Sequence, residues 1–221
     1  MALYIDCAYL DDITNVTRSI PTAGVTTNPT IMLAAYERGQ RLEPQRLLNE
    51  LLDKQAGAVF IQPGAITEEA MYNEALAYLE TSPDRVIPKL PMTLAGMQVA
   101  LRLKFQGYPV AFTAVTTVAQ AYMAAMAKAD FIIPYYNRLE RSGVDASERL
   151  SQMAELLHNQ QVATRILAAS IKSPIEAAQA LMAGAHDLTM PPQVLLDMVT
   201  DPQSEQAVEN FAQDWHKMKK L

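Results

Sequence analysis

Short apolar runs alternate with longer stretches of helical periodicity along the whole chain. Leu3–Asp6 opens with strand chemistry, and a helix-like segment follows from about Tyr9 to Ser19. A second strand is predicted over Gly24–Thr27, after which Pro29 suits the first turn of a helix. Pro29–Arg38 and Pro44–Lys54 both read as helix, with Gly39 breaking them. A third strand over Ala58–Gln62 precedes a helix from about Thr67 to Glu80. The fourth is Arg85-Val-Ile-Pro-Lys-Leu-Pro91. Leu94, Met97, Leu101 and Phe105 then recur at spacings of three and four, one face of a helix that Gly107 ends. Strands over Tyr108–Thr113, Asp130–Tyr135, Val162–Ser170 and His186–Met190 complete the series. Between them lie helices over Val118–Lys128, around Leu150, Met153, Ala154 and Leu157, and over Pro174–Ala183; Asn137–Asp145 reads as a polar loop. Two more helices start at Pro192 and at about Pro202.

Eight strands alternating with helices predict an α/β chain: residues 1–221 as a single domain, a (β/α)8 TIM barrel with an extra C-terminal helix. A doubly wound open sheet is the rival, but no G-x-G-x-x-G follows the first strand. Pro88 fits poorly, because a central strand uses its N–H groups.

Composition narrows the function. With 50% hydrophobic and 19% charged residues the chain has the balance of a folded soluble protein. A net charge of −6 argues against nucleic acid as partner. Cys7 is the single cysteine, so no intrachain disulfide forms. Met1–Asp6 lacks a signal peptide's basic and apolar regions, and no run approaches the ~20 apolar residues of a membrane span. A cytoplasmic setting with no membrane partner is the expectation.

Barrel enzymes carry their chemistry at the C-terminal ends of the strands. Read in order, these ends offer Asp6, Thr26 with Asn28, Gln62, Lys89, Thr113, Tyr135 with Arg138, and Ser170; the eighth, at Met190, looks structural. Each has a plain alternative: Asp6 as a helix cap, Asn28 in a turn, Thr113 bonding backbone. Lys89 follows an apolar run that would strip its ammonium of water and lower its pKa. A neutral lysine adds to carbonyls and can form a Schiff base. Lys172 is the rival lysine, in loop-like sequence that suggests solvated surface. His158, His186 and His216 are scattered, which argues against a metal site.

The stretches Leu3-Tyr-Ile-Asp6, Gly24-Val-Thr-Thr-Asn-Pro29, Lys89-Leu-Pro-Met-Thr93, Pro134-Tyr-Tyr-Asn-Arg138, Ala168-Ala-Ser170 and Phe211-Ala-Gln-Asp-Trp215 resemble the motifs of the transaldolase family, most closely its fructose-6-phosphate aldolase branch. The resemblance implies a cofactor-free, metal-free Schiff-base aldolase. It cleaves fructose 6-phosphate or a related sugar phosphate to a dihydroxyacetone-type ketone and glyceraldehyde 3-phosphate. In that reading Lys89 forms the imine with Asp6 and Asn28 around it, and Thr26 and Asn28 are expected to bind substrate. Gln62, Tyr135 and Thr113 hold a catalytic water, and Arg138 and Ser170 bind phosphate. Transaldolases carry Glu where Gln62 stands and Phe where Tyr135 stands, so the two positions favour the aldolase branch. Transfer of a dihydroxyacetone unit between sugar phosphates is the alternative, and an inactive oligomeric scaffold a third. In departures from the pattern, Pro88 replaces an aliphatic residue, Cys7 a hydroxyl residue, and Ile133 and Tyr136 enlarge the mouth. The terminal helix, residues 203–221, carries Val208, Phe211 and Trp215 on one stripe and packs either on its own barrel or on a neighbour. The resembled branch forms pentamers that stack into decamers, which makes a homo-oligomer the expectation.

Overall fold

The computed structural model describes residues 1–220, with eight strands: β1 (Leu3–Asp6), β2 (Gly24–Thr26), β3 (Ala58–Ile61), β4 (Val86–Pro91), β5 (Ala111–Val115), β6 (Phe131–Pro134), β7 (Arg165–Ala168) and β8 (Asp187–Met190). Each pairs in parallel with its sequence neighbours, and β8 closes on β1. Eleven helices accompany them: α1 (Leu10–Thr17), α2 (Pro29–Glu37), α3 (Pro44–Lys54), α4 (Glu68–Thr81), α5 (Leu94–Phe105), α6 (Val118–Met126), α7 (Tyr136–Arg141), α8 (Ala146–Asn159), α9 (Pro174–Met182), α10 (Pro192–Asp197) and α11 (Pro202–Met218). The fold is a closed (β/α)8 barrel with a helix beyond it.

Local chemistry sets the helix boundaries. Side chains of Asn28, Thr93, Asp145 and Ser173 accept from the first-turn N–H groups of α2, α5, α8 and α9. Thr117 and Gln120 form a reciprocal capping box on α6. Gly107 ends α5 at φ +87°, where its N–H reaches the Lys104 carbonyl and the Tyr108 N–H the Leu103 carbonyl.

Strand alternation sorts side chains onto two apolar surfaces. Outward residues such as Ile5, Val25, Val59, Leu90 and Phe112 pack against the helices. Inward residues fill the barrel in layers drawn from alternate strands. Tyr4, Phe60, Ala111 and Leu167 form an apolar layer, with Tyr4 and Phe60 edge to face at 5.1 Å. At its floor, buried Asp187 takes a two-pronged ion pair from Arg165, with both N–O distances 2.7 Å. The strand registers put Thr26, Lys89, Ile133 and Thr189 in the next layer up, and Asp6, Gln62, Thr113 and Ala169 at the mouth.

Three expectations change. Pro88 is no interruption: it faces outward and buried within β4, opposite Ile61, and the strand runs on to Pro91. The stretch read as a loop over 137–145 begins as α7, held by the Leu139 N–H on the Tyr135 carbonyl. The stripe Leu94, Leu101 and Phe105 turns away from the barrel, while Val99, Ala100 and Leu103 are buried against it.

Candidate active site

Lys89 comes from β4, inward-facing and 2% exposed. Its Nζ donates to the Thr27 carbonyl at 3.1 Å, a neutral acceptor that compensates an ammonium poorly. Burial therefore pushes its pKa below the ordinary lysine value, and the negative charge of Asp6 pulls partly the other way.

Asp6 sits at the end of β1 and accepts from the Thr26 hydroxyl at 2.7 Å. Thr26 is also 2.6 Å from the Thr189 hydroxyl. A hydroxyl has one proton to give. Given to Asp6, it leaves Thr26 accepting from Thr189, so the three form a directed chain ending on the carboxylate beside the lysine. Asp6 does not cap α1, whose cap position is Tyr9.

Across the mouth, the Tyr135 hydroxyl lies 2.6 Å from the Thr113 hydroxyl. Thr113 is held there by a bulge: the β5–β6 register slips between Thr113 and Val115, and Ala114 takes up the extra residue at φ +59°. Gln62, one residue past β3, extends the register in which Ile61 pairs with Pro88, which brings it beside Lys89.

Arg138 projects from α7 with its guanidinium 4.5 Å from the centre of the Tyr135 ring. Ser170 follows β7 at φ +60°, a conformation that strains a residue with a Cβ. Its carbonyl accepts from the Asn137 N–H at 3.2 Å, which ties that strand end to the helix carrying Arg138. Asn28 spends its Oδ1 on the cap of α2, accepting from the Ile31 N–H at 3.0 Å.

The barrel thus gathers Asp6, Thr26, Gln62, Lys89, Thr113 and Tyr135 at one end, with Asn28 and Ser170 just past the strand ends and Arg138 on α7. Lys172, the rival lysine, is exposed. Cys7 is buried, its Sγ accepts from the Tyr9 N–H, and burial pushes the thiol up to about 11. Neither residue expected to enlarge the mouth is exposed in it. Tyr136 is buried behind the sheet, its hydroxyl between Ser147 at 2.6 Å and Gln179 at 3.3 Å, and Ile133 is fully buried in the lysine's own layer. Thr189 is a site residue that the strand end at Met190 conceals; the alternation Asp187-Leu-Thr-Met gives it the inward parity of Asp187.

No helix among the described residues is long and apolar enough to cross a membrane. A family model described as Transaldolase/Fructose-6-phosphate aldolase matches residues 3–221. Among solved structures, thiamine phosphate pyrophosphorylase from Pyrococcus furiosus is 13% identical with a TM-score of 0.60, over 89% of this chain and 93% of that one. A flavocytochrome b2 mutant with pyruvate bound is 10% identical, TM-score 0.58, over 88% of this chain; the match spans 57% of the flavocytochrome chain. FabK from Thermotoga maritima is 16% identical, TM-score 0.57, over 86% of this chain and 57% of that one. Likeness at these identities is likeness of fold.

Proposed function

Because the chain belongs to the transaldolase/fructose-6-phosphate aldolase family, we propose that Lys89 is the Schiff-base residue of a class I aldolase acting on sugar phosphates. The observation that carries this reading is a lysine almost wholly buried at the catalytic end of the barrel and held only by a backbone carbonyl. Its lowered pKa raises the share of neutral amine.

In the cleavage direction, the amine attacks the ketone carbon. The carbinolamine loses water to give a protonated imine, with Asp6, oriented through Thr26 and Thr189, assisting the proton transfers. A base then takes the proton of the hydroxyl two carbons from the imine carbon, on the carbon that becomes the aldehyde. The C–C bond breaks, the aldehyde leaves, and the electron pair passes to the imine nitrogen as an enamine. Protonation at carbon and hydrolysis return the ketone and the free lysine. Tyr135, with Thr113 and Gln62, serves as base and acid through a water they hold together. Arg138 and Ser170 receive the phosphate.

Borohydride reduction in the presence of dihydroxyacetone tests the reading. A covalent adduct at Lys89, absent in Lys89→Met together with turnover, is the expected result; an adduct at Lys172 overturns it. Within the family, Gln62 and Tyr135 favour release of the ketone over transfer. Dihydroxyacetone released in preference to transfer onto erythrose 4-phosphate supports that finer assignment, and dominant transfer reverses it.

A further inference from the structure

Beside the mouth, a cleft of about 460 Å³ opens between the loop after β5 and helix α7, lined by Ala114, Thr116, Tyr135, Arg138, Ser142 and Arg149 among others. Tyr135 and Arg138 belong at once to this cleft and to the candidate site. Arg149, on α8, has entered no part of the chemistry so far.

The charge of the cleft is unusual for this chain. Acidic residues outnumber basic ones 24 to 18, yet none of the described residues lining the cleft is a carboxylate. Arg38, Arg102 and Arg165 each lie against an acidic side chain. Among the described residues, neither Arg138 nor Arg149 does. Two guanidiniums therefore share one concave space without a counter-charge.

Arg149 is also anchored. Its Nη1 donates to the Thr116 carbonyl at 2.7 Å, which fixes the planar group to the loop after the β5 bulge. One of five N–H donors is used, and the rest of the fork remains to bind. A half-buried, oriented guanidinium next to a second one suits a phosphate, which accepts several charge-assisted hydrogen bonds at once.

We propose that Arg149 is a second phosphate-binding arginine, which reaches from this cleft to the terminal phosphate of the acceptor aldehyde held by Arg138, the residue shared by the cleft and the candidate site. The inference rests on the aldolase reading and adds a specificity determinant to it.

The test compares wild type, Arg149→Met and Arg149→Lys in aldol addition of dihydroxyacetone to glyceraldehyde 3-phosphate and to unphosphorylated glyceraldehyde. Arg149→Met is expected to raise the KM for the phosphorylated aldehyde about ten-fold or more, the loss of one or two hydrogen bonds to a charged group. Its kcat, and both constants for glyceraldehyde, stay near wild type, and Arg149→Lys recovers part of the loss. Equal effects on both aldehydes would show that the Thr116 anchor merely supports the loop, and no effect on either removes Arg149 from the site; each overturns the proposal. Calorimetry with inorganic phosphate separates a free anion from the acceptor: weakened phosphate binding in Arg149→Met with unchanged KM for glyceraldehyde 3-phosphate also overturns it. Borohydride trapping on the same proteins reads the imine independently, so failure of the aldolase reading is told apart from failure of this one.

Discussion

At the scale of single residues, the site depends on one amine kept short of compensation. The Thr27 carbonyl gives Lys89 a hydrogen bond but no charge, and Asp6 supplies charge from the neighbouring layer. In the proposed mechanism the neutral amine is the nucleophile, so the rate of imine trapping should rise with pH and level off below the titration of an ordinary lysine. Asp6 raises the Lys89 pKa, so Asp6→Asn should move that inflection to lower pH even as the plateau rate falls. An inflection that stays put or moves up would mean that Asp6 does not act on Lys89 through its charge. His186 makes a separate pH prediction at the barrel floor. Its Nδ1 accepts from the Ile166 N–H at 3.0 Å, which only an unprotonated nitrogen can do. Burial and the cationic Arg165 and N-terminus push its pKa down, against the opposing charge of Asp187. A folded-state pKa below the unfolded one contributes stability at higher pH that is lost as pH falls through the folded value. Denaturant midpoints measured from about pH 8 to about pH 5 should fall less in His186→Asn, which keeps an acceptor but does not titrate. Equal slopes would discard His186 as the cause. Lys89 and its polar companions were legible because each stands at the end of a recognisable strand. Thr189 and the Thr27 carbonyl were not: the first hides inside a run of apolar neighbours, and the second is backbone, which every residue has.

Elements position these residues by close approach. α5 lies so near the end of β4 that a Cβ on Gly96 would fall 1.9 Å from the Pro91 carbonyl oxygen. No side-chain rotation relieves a clash of that kind, because the atom struck is backbone. Gly96→Ala should therefore push α5 off the strand that carries Lys89. Overpacking of this sort destabilises by about 1–3 kcal/mol, several degrees of Tm for a chain of this size. The displacement should also slow imine trapping. An unchanged Tm would show that the two elements separate freely. The order and closure of the strands could be read from alternation alone, since eight apolar runs separated by helical spacing leave few topologies. Three features could not. Ser142 and Gly143 give the 137–145 stretch the look of a loop, yet six residues ahead of them complete a turn of helix because Tyr135 supplies its first carbonyl. Pro88 argued against a strand, but on an outward position of β4 its ring packs into the layer beneath the helices. The face of α5 was ambiguous because both sides are apolar; Val99 and Leu103 reach the sheet, and Leu94 and Phe105 are left over.

For the whole molecule, the leftover apolar surface is the outstanding feature. α11 extends over Pro202–Met218, and none of its residues is buried. Val208, Phe211, Trp215 and Met218 are 64%, 70%, 53% and 55% exposed. A helix of this length with a free apolar face gains little from its own hydrogen bonds, and in folded proteins packing of that face supplies most of its stability. The exposed Leu94 and Phe105 on α5, and Met123 and Met126 on α6, add further apolar area on the outside of the barrel. Exposed apolar faces of this kind mark contact surfaces. We propose a homo-oligomer, a ring of five or a stacked pair of rings, in which α11 lies on a neighbouring copy and its two aromatics each bring about 150–250 Å² to the interface. Deleting residues 203–221 should lower the mass in light scattering while circular dichroism still reports a folded barrel, because none of the described residues in that segment is buried. Trp215 fluorescence gives a second reading: in the full chain it should shift to the red on dilution as the interface opens. A truncated protein of unchanged mass would place the contact elsewhere on the surface. A full-length protein that is monomeric at micromolar concentration would leave the exposed stripe without a partner and defeat the assignment.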